Sequence, residues 1–567
     1  MSHKPYTSWE AMAHMPPVFH PNLMPHQVEV VRRATQQRKF LIAHEQGTGK
    51  TITGIMLAQS ALAFGAKQVL VVCPPSLTWN WKNEFAKWSP DTTTVILNKR
   101  EPLDVQGSEF VLPDAQVIIA TDGALHGYNR WFIGGDQQFT WDEVYEKNAK
   151  GKYVRDSKGE KMPRLNEDGS RFIPEYFIRN FGHGVDALIV DECQRVSSNR
   201  AGRGRAFMHL CIERPAMPKW LLSGTPFTKT RVGLFAFAKG LDVFDRHTVD
   251  NAPATAKSWL DNFAPVVGTR GERGQANTEQ LHAEMFHPVT GWAHRVRSCD
   301  VIEDLPNMGR TIREGQLRGE WARKYKKAED NLEQWLIETR GHAKAESMMK
   351  AEALIRVQEL RRLVGKAKLE AVIDHIELTM ESGEEGEHEP VLVLATHTDI
   401  REGIMEHFSK KSVTVEDEVS GKSYSRPVRV GTIHGGMTAE QKQAVVDAWQ
   451  AKQFDLVVAN VISASVGFTM TEGRHIVFAE LPWNSMDIVQ AEARLLRKGQ
   501  KRDVCSQVVL GVQTSGKRTI DDRLWGLLEA KFREAKSVID GEEVETMVGD
   551  TEQSLAMLIL NSYLADL

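Results

Sequence analysis

The residues of this chain best suited to chemistry lie in two short stretches. In "AHEQGTGKT" (Ala43 to Thr51), Gly47 and Gly49 flank Thr48 and precede Lys50 and Thr51. Glycines there let successive backbone N–H groups turn inward onto phosphate oxygens. Lys50 then reaches the β- and γ-phosphates, and the Thr51 hydroxyl supplies a hard oxygen for Mg²⁺. In "VDALIVDECQR", Asp191 and Glu192 end an apolar run. Asp191 suits a metal ion, and Glu192 suits the orientation and deprotonation of an attacking water. Together they point to hydrolysis of a nucleoside triphosphate, with ATP and Mg²⁺ as the expected ligands.

The elements that must position these groups are legible around them. "KFLIAH" reads as a buried strand, and Ile52, Ile55, Met56 and Leu62 share one face of a following helix. That helix start adds its positive dipole end to the phosphate site. The strict glycine-first form of the motif wants glycine at position 44, where His44 stands; the short form fits instead. Ala187 to Val190 reads as a fully buried strand of a parallel sheet, and Asp191 and Glu192 at its C-terminal end lie where such sheets bind ligands. Upstream, the amide of Gln27 can both donate to and accept from an adenine edge. Downstream, Ser223 and Thr225 in "WLLSGTPFT" end another buried strand and suit sensing of the γ-phosphate.

A third stretch, "QAEARLLRKGQKR", carries Gln490, Arg494 and Arg497 at i, i+4 and i+7, one stripe if the segment is helical throughout. Such a stripe suits a solvated face, a phosphate backbone, or a nucleotide bound elsewhere. "EPVLVLATHTDI", "FDLVVANVISASVGFT" and "RHIVFAELPWN" read as further buried strands, forming a second parallel α/β domain without a phosphate loop. One nucleotide shared across a cleft is then expected, and Arg494 and Arg497 can reach it from the second domain.

Bulk composition agrees. At 567 residues the chain exceeds one core. No apolar run is long enough for a membrane span, no signal-peptide pattern is present, and five scattered cysteines show no zinc spacing, so an intracellular protein without membrane or structural zinc is expected. The net charge of −4 hides a basic segment, with seven Lys/Arg against three Glu from Lys344 to Lys368. A phosphate polymer needs only a local basic groove.

In this order the motifs resemble the SWI/SNF-like branch of helicase superfamily two, and within it the annealing-helicase or fork-remodelling group. Gln27, "AHEQGTGKT", "VVCPPSLTWNWKNEFAKW", "IIATDGAL", "VDECQR" and "LLSGTP" match the first half. "VLVLATHTDI", "TIHGGMT", "NVISASVGFTMTEGRHIVFAELPWN" and "QAEARLLRKGQ" match the second. The departures are Gln194 for a usual histidine, Asp122-Gly123 for Thr-Tyr, and Lys229 for asparagine. The resemblance implies two RecA-like parallel-sheet lobes flanking an ATP cleft, with helical protrusions and a brace between them. Expected boundaries are lobe 1 over 1–235 with an insertion at 124–184, a helical region over 236–385, lobe 2 over 386–540, and an acidic tail over 541–567 ending in an apolar helix.

The resemblance also implies that Gly467 and Gln490 join the nucleotide site. It further implies a monomer bound to double-stranded or forked DNA through Trp81, Lys82, Thr121, Lys498, Lys501 and Arg502. The terminal helix is expected to pack on lobe 2 or to bind a protein partner. The function implied is a DNA-dependent ATPase that translocates on duplex or branched DNA and remodels or reanneals it. The alternatives are a strand-separating helicase and an ATP-gated DNA clamp.

Overall fold

A computed structural model describes residues 15–97, 112–127, 183–198, 202–226, 231–245, 256–263, 277–339, 346–383, 388–416, 423–461, 468–541, 556–560 and 562–563. It also describes short pieces at 105–106, 109–110, 132–133, 136–140, 176–180, 266–267 and 272–273. Val/Ile/Leu runs of four to six residues become strands because both their faces are covered, the condition for a parallel sheet. Lobe 1 contains β1 (Lys39–His44), β2 (Val69–Cys73), β3 (Thr94–Leu97), β4 (Val117–Thr121), β5 (Ala187–Asp191), β6 (Lys219–Leu222) and β7 (Ala293–Val296). They form one seven-stranded sheet in the order β7-β1-β6-β5-β2-β4-β3, parallel throughout. Lobe 2 contains β8 (Met308–Gln316), β9 (Val391–Ala395), β10 (Val430–Ile433), β11 (Leu456–Asn460), β12 (His475–Phe478) and β13 (Val504–Val512), in the parallel order β8-β13-β12-β9-β11-β10.

Alternate residues of each strand feed opposite cores, as the pleat requires. Leu41 and Ala43 enter one lobe 1 core, while Phe40 and Ile42 enter the other. Leu392 and Leu394, against Val391 and Val393, divide in the same way in lobe 2.

The helices that bear on the site are α1 (Pro25–Gln37), α2 (Lys50–Ala63), α3 (Thr78–Trp88), α4 (Gly319–Thr339), α5 (Glu346–Ala367), α6 (Ser485–Leu495) and α7 (Ile520–Asp540). Helix α7 starts on a capping box of Thr519 and Asp522, carries Asp521 and Asp522 in its first turn, and stops at Gly541 with φ +76°. Each feature is the one its helix end favours. Its Ile520, Leu524 and Leu528 lie in the lobe 2 core, whereas Ala535, Val538 and Ile539 lie in the lobe 1 core. One helix therefore braces both lobes. Helix α6 does the same on a smaller scale, with Met486 in the lobe 1 core and Ile488, Ala491 and Leu495 in that of lobe 2.

One expected region differs in content. The region over 236–385 is not only helical, because β7 is an edge strand of the lobe 1 sheet and β8 an edge strand of the lobe 2 sheet. The short polar stretches 293–296 and 308–316 lack the apolar runs that marked the other strands. The described end of the tail packs on lobe 2, one of the two outcomes expected for it: Ala556, Ile559, Leu560 and Tyr563 are buried in the lobe 2 core. The Tyr563 hydroxyl donates to Glu329 Oε1 at 2.9 Å, and the Arg523 guanidinium lies 3.7 Å from the Tyr563 ring centroid. The apolar face expected to pack or to bind a partner is covered by its own chain. Within the insertion, 136–140 and 176–180 pair as an antiparallel ribbon. Arg214 clasps its base by donating to the carbonyls of Ile133 at 2.6 Å and His183 at 3.1 Å.

Candidate nucleotide site between the lobes

The loop after β1 turns through Gly47 (φ +83°) and Gly49 (φ +82°), conformations that glycine adopts without strain. A Cβ at Gly49 would also lie 2.2 Å from Nε2 of Gln27. That Nε2 donates to the Thr48 carbonyl at 3.0 Å, and the His26 ring meets the same oxygen at 2.9 Å. Helix α1 thus fixes the crest of the loop. Oε1 of Gln27 accepts from Met24 N at 2.9 Å, which leaves this amide one N–H and one lone pair for a further partner. His44, which occupies the position of the missing glycine, is buried and shares a 2.8 Å hydrogen bond with His294 on β7. An edge strand that sequence reading missed accounts for that departure.

Lys50 opens α2 and is buried, with Nζ donating to the Glu45 carbonyl at 3.0 Å. Burial pushes its pKa down to about 8; the charges of Glu192 and Asp191 oppose this, and those of Arg497 and Arg494 add to it. Thr51 is the next residue of α2. Asp191 ends β5, and its two oxygens each accept one N–H, from Glu192 N and from Trp81 Nε1, both at 2.9 Å. Its pKa is raised to about 6, first by burial and then by the neighbouring Glu192 charge. Glu192 sits at φ +49°, ψ +49°, a left-handed conformation uncommon outside glycine. Such strain concentrates where a side chain must be aimed.

Gln194 explains its own departure from the histidine pattern. Its Nε2 donates to Glu192 Oε2 at 2.5 Å, and its Oε1 accepts from Ser223 Oγ at 2.6 Å. Ser223 Oγ in turn accepts from Thr225 N at 3.0 Å, and Thr225 Oγ1 lies 3.5 Å from Gln490 Nε2 in lobe 2. An amide suits this relay because one end donates while the other accepts, with no titration at neutral pH. The chain of contacts runs from Glu192 to the other lobe.

From lobe 2, Arg494 on α6 is buried, with Nη1 3.5 Å from the Phe468 carbonyl. Helix α6 ends at Leu495, so Arg497 is not part of a continuous helical stripe. Its Nε folds back onto the Ala493 carbonyl at 2.8 Å, and Nη1 donates to Thr469 Oγ1 at 3.0 Å. Arg497 Cγ would lie 4.0 Å from a Cβ at Gly47, which places the side chain against the phosphate loop. Burial lowers the pKa of Arg494 to about 9 and of Arg497 to about 10, and the charge of Glu192 acts against both shifts. The structure therefore brings Lys50, Asp191, Glu192, Gln490, Arg494 and Arg497 to one cleft. Buried Lys50 and Arg494 and half-buried Arg497 beside a glycine turn are complementary to a polyphosphate. Gly467 and Lys229 lie outside the described residues.

The expected DNA contacts divide differently. Trp81 is wholly buried and donates to Asp191, so it is not a surface contact. The exposed tryptophan of α3 is Trp79, whose ring centroid lies 5.2 Å from Lys82 Nζ. Thr121 is nearly buried, and its Oγ1 accepts from Ala124 N at 3.0 Å. Lys498 and Lys501 are exposed. Arg502 is held by Glu389, with Nη1 at 3.0 and 3.1 Å from the two carboxylate oxygens. The basic segment over 344–368 is largely committed to the fold. Arg361 donates to the Leu481 carbonyl, Arg362 and Lys366 meet Asp399 at 2.9 and 2.8 Å, and the buried Lys368 meets Asp521 at 2.7 Å. Among the described residues, no helix is long and apolar enough to cross a membrane, and no group of three or more His, Cys, Asp or Glu is placed to hold a metal ion.

The chain is similar to known proteins over most of its length. The SNF2-related domain matches residues 26–369, and the helicase conserved C-terminal domain matches residues 367–499. The human DNA annealing helicase and endonuclease ZRANB3 is 25% identical over 550 residues, covering 94% of this chain and 42% of the relative. A Caenorhabditis elegans homologue of the SWI/SNF-related matrix-associated actin-dependent regulator of chromatin subfamily A-like protein 1 is 24% identical over 528 residues, covering 91% and 62%. The chain spans less than two thirds of the length of these relatives, 42% of the one and 62% of the other. Among solved structures, the Sulfolobus solfataricus SWI2/SNF2 ATPase core in complex with dsDNA is 18% identical, covering 94% of this chain and 99% of that one, with a TM-score of 0.33. On the match that spans residues 26–369, continued by the helicase C-terminal domain, the chain belongs to the SNF2-related family of helicase-like proteins.

Proposed function

We propose that this chain is a DNA-dependent ATPase that couples hydrolysis to translocation on double-stranded or branched DNA, remodelling or reannealing it. The observation that carries this reading is Arg497 of lobe 2 lying against Gly47 of the lobe 1 phosphate loop, with buried Arg494 beside it. A site assembled from both lobes makes hydrolysis depend on their closure, and closure becomes movement when both lobes grip a track. A DNA annealing helicase, ZRANB3, is among the relatives, which supports DNA as the track.

In this reading Lys50 and the amides of Gly47 to Lys50 hold the phosphates, Gln27 meets the base, and Gln490 lines the far wall. Thr51 and Asp191 hold Mg²⁺, a hard cation suited to their oxygen donors, with a lone pair left on each Asp191 oxygen after its one hydrogen bond. The metal, when bound, neutralises charge building on the phosphate oxygens. Glu192 orients the attacking water and takes its proton, while Gln194 fixes the second carboxylate oxygen. Arg494 and Arg497 stabilise the charge of the transition state, a contribution of about 10³- to 10⁵-fold, or about 4–7 kcal/mol. Lys82, Lys498 and Lys501, together with exposed Trp79, form the DNA-facing candidates, whereas the nearly buried Thr121 does not join them. Phosphate contacts of this kind are sequence-blind and weaken with salt.

The test is an ATPase assay with duplex, single-stranded and forked DNA and RNA at two salt concentrations. Stimulation by duplex or forked DNA that falls at the higher salt is expected; no stimulation by any DNA overturns the reading. Displacement of a triplex-forming strand then separates a motor from a clamp, since a clamp hydrolyses ATP without displacement.

A further inference from the structure

We infer that Trp81 is a positioning residue of the ATP site, whose indole N–H fixes the Asp191 carboxylate and ties it to the helix that carries Trp79 and Lys82 on its outer side. The inference rests on the reading of Asp191 as the Mg²⁺ carboxylate. A buried tryptophan is ordinarily explained by packing, and Trp81 does pack: it lies in the lobe 1 core beside Phe85. Packing does not explain where its one polar atom points. Of the surroundings open to a core indole, Nε1 meets Asp191 Oδ2 at 2.9 Å, 110 residues away in sequence.

Three observations make this contact specific. Asp191 takes one donor on each oxygen, Glu192 N on Oδ1 and Trp81 Nε1 on Oδ2, so rotation of the carboxylate breaks at least one bond. Both partners are buried, where each bond is stronger and a lost donor is not replaced by bulk water. The ring is also held from behind by α2: a Cβ on Gly54 would lie 2.6 Å from the ring carbon Cη2 of Trp81. Glycine at 54 is therefore what lets the helix that begins with Lys50 and Thr51 close onto the indole. The same side chain touches the phosphate-loop helix with its far edge and the metal carboxylate with its N–H.

On α3 the neighbours of Trp81 face the other way. Trp79 is 54% exposed, and Lys82 sits over its ring. Residues that orient a ligand of a metal typically change metal affinity or activity 10- to 100-fold when removed.

The test compares Trp81→Phe, which keeps an aromatic ring without the donor, with 3-benzothienylalanine incorporated at position 81, which keeps the bicyclic shape and replaces N–H by sulfur. Asp191→Asn serves as the control for the underlying reading. The readouts are the thermal midpoint, the Mg²⁺ concentration that half-saturates binding of a fluorescent ATP analogue, and kcat and KM for ATP. Expected is a rise of about tenfold in half-saturating Mg²⁺ and a fall of kcat of similar size for the benzothienyl variant, with KM and the thermal midpoint near those of the parent. If the benzothienyl variant keeps the parent's Mg²⁺ requirement and kcat while Asp191→Asn changes both, Trp81 is packing alone and the inference is overturned. If Asp191→Asn itself leaves the Mg²⁺ requirement unchanged, the assignment of Asp191 falls, and the inference falls with it.

Discussion

The loop after β1 in lobe 1 and the loop after β9 in lobe 2 each follow a buried strand of a parallel sheet, yet their backbone N–H groups are treated in opposite ways. In lobe 2, Thr396 N and His397 N both donate to Glu480 Oε2 at 2.8 Å, and His397 Nδ1 meets Glu480 Oε1 at 2.6 Å. A buried carboxylate of the chain itself stands where an anion would bind. In lobe 1, among the described residues, no carboxylate accepts from the N–H groups of residues 46–50; the loop is held instead through its Thr48 carbonyl by His26 and Gln27. Away from the loop after β1 and the β5 end, both lobes pair buried charges internally, lobe 1 through Asp122 with Arg195 and Arg203, for example. Lobe 2 pairs its buried charges internally, as in Arg426 and Arg429 with Asp455, or Lys368 with Asp521. Lobe 1 keeps Lys50, Asp191 and Glu192 free of ion pairs closer than 4 Å among its described residues. One architecture thus serves as a receptor in one half and as a self-satisfied wall in the other, and Arg494 and Arg497 are what the wall contributes.

The largest expected effect breaks the wall's contribution. Arg497→Ala should lower kcat by about 10³- to 10⁵-fold with little change in ATP affinity, measured by turnover and by nucleotide binding; normal turnover would return Arg497 to a structural role. On the receptor side, Glu192→Gln should lower kcat by about 10²- to 10⁴-fold while retaining ATP binding, and should leave thermal stability unchanged because Glu192 holds no ion pair among described residues. Lys50→Ala should abolish turnover together with tight nucleotide binding. The contrast predicts the reverse for lobe 2. Glu480→Ala strands two buried amides and the His397 partner, and should cost about 4 kcal/mol of stability in denaturant titration. A loss below about 1 kcal/mol would mean that Glu480 does not hold the loop.

The smallest expected effect is one of pH. Burial, with Arg474 nearby, lowers His475 from its ordinary 6.5 to about 4, while Glu389 opposes the shift. A group depressed on folding contributes full stability above its unfolded pKa and loses it as pH falls towards the folded one. The window is therefore about pH 6.5 to 4, and the loss about 3 kcal/mol. His475→Gln should flatten that part of the stability profile relative to the parent.

Much of this arrangement was readable in the chain itself, and the reasons for the failures are local. Gly47, Gly49, Lys50, Asp191 and Glu192 are close in sequence to the strands that deliver them, so spacing alone located them at strand ends. The reach of Arg497 was assigned to a regular helix, whereas Leu496 ends that helix and the side chain folds back. Trp81 was misjudged although a signal existed: Trp81 and Phe85 are four residues apart, an apolar pair on one helix face, while Trp79 lies off it. The basic segment over 344–368 offered no such signal. Whether Lys368 meets water or a carboxylate depends on Asp521, 153 residues later. β7 and β8 were missed for the related reason that edge strands need not be apolar on both faces.

Helix α7 carries a mechanical corollary. Its 21 residues form a rod of about 30 Å whose first half is rooted in one core and whose last turns are plugged into the other. Near its end, Asp540 holds Arg295, which also grips Glu45 beside the phosphate loop, at 2.9 and 2.7 Å. Such a rod resists separation along its length but tolerates swivelling about it, so the two halves behave as leaves on an axle whose tip rests against the nucleotide cradle.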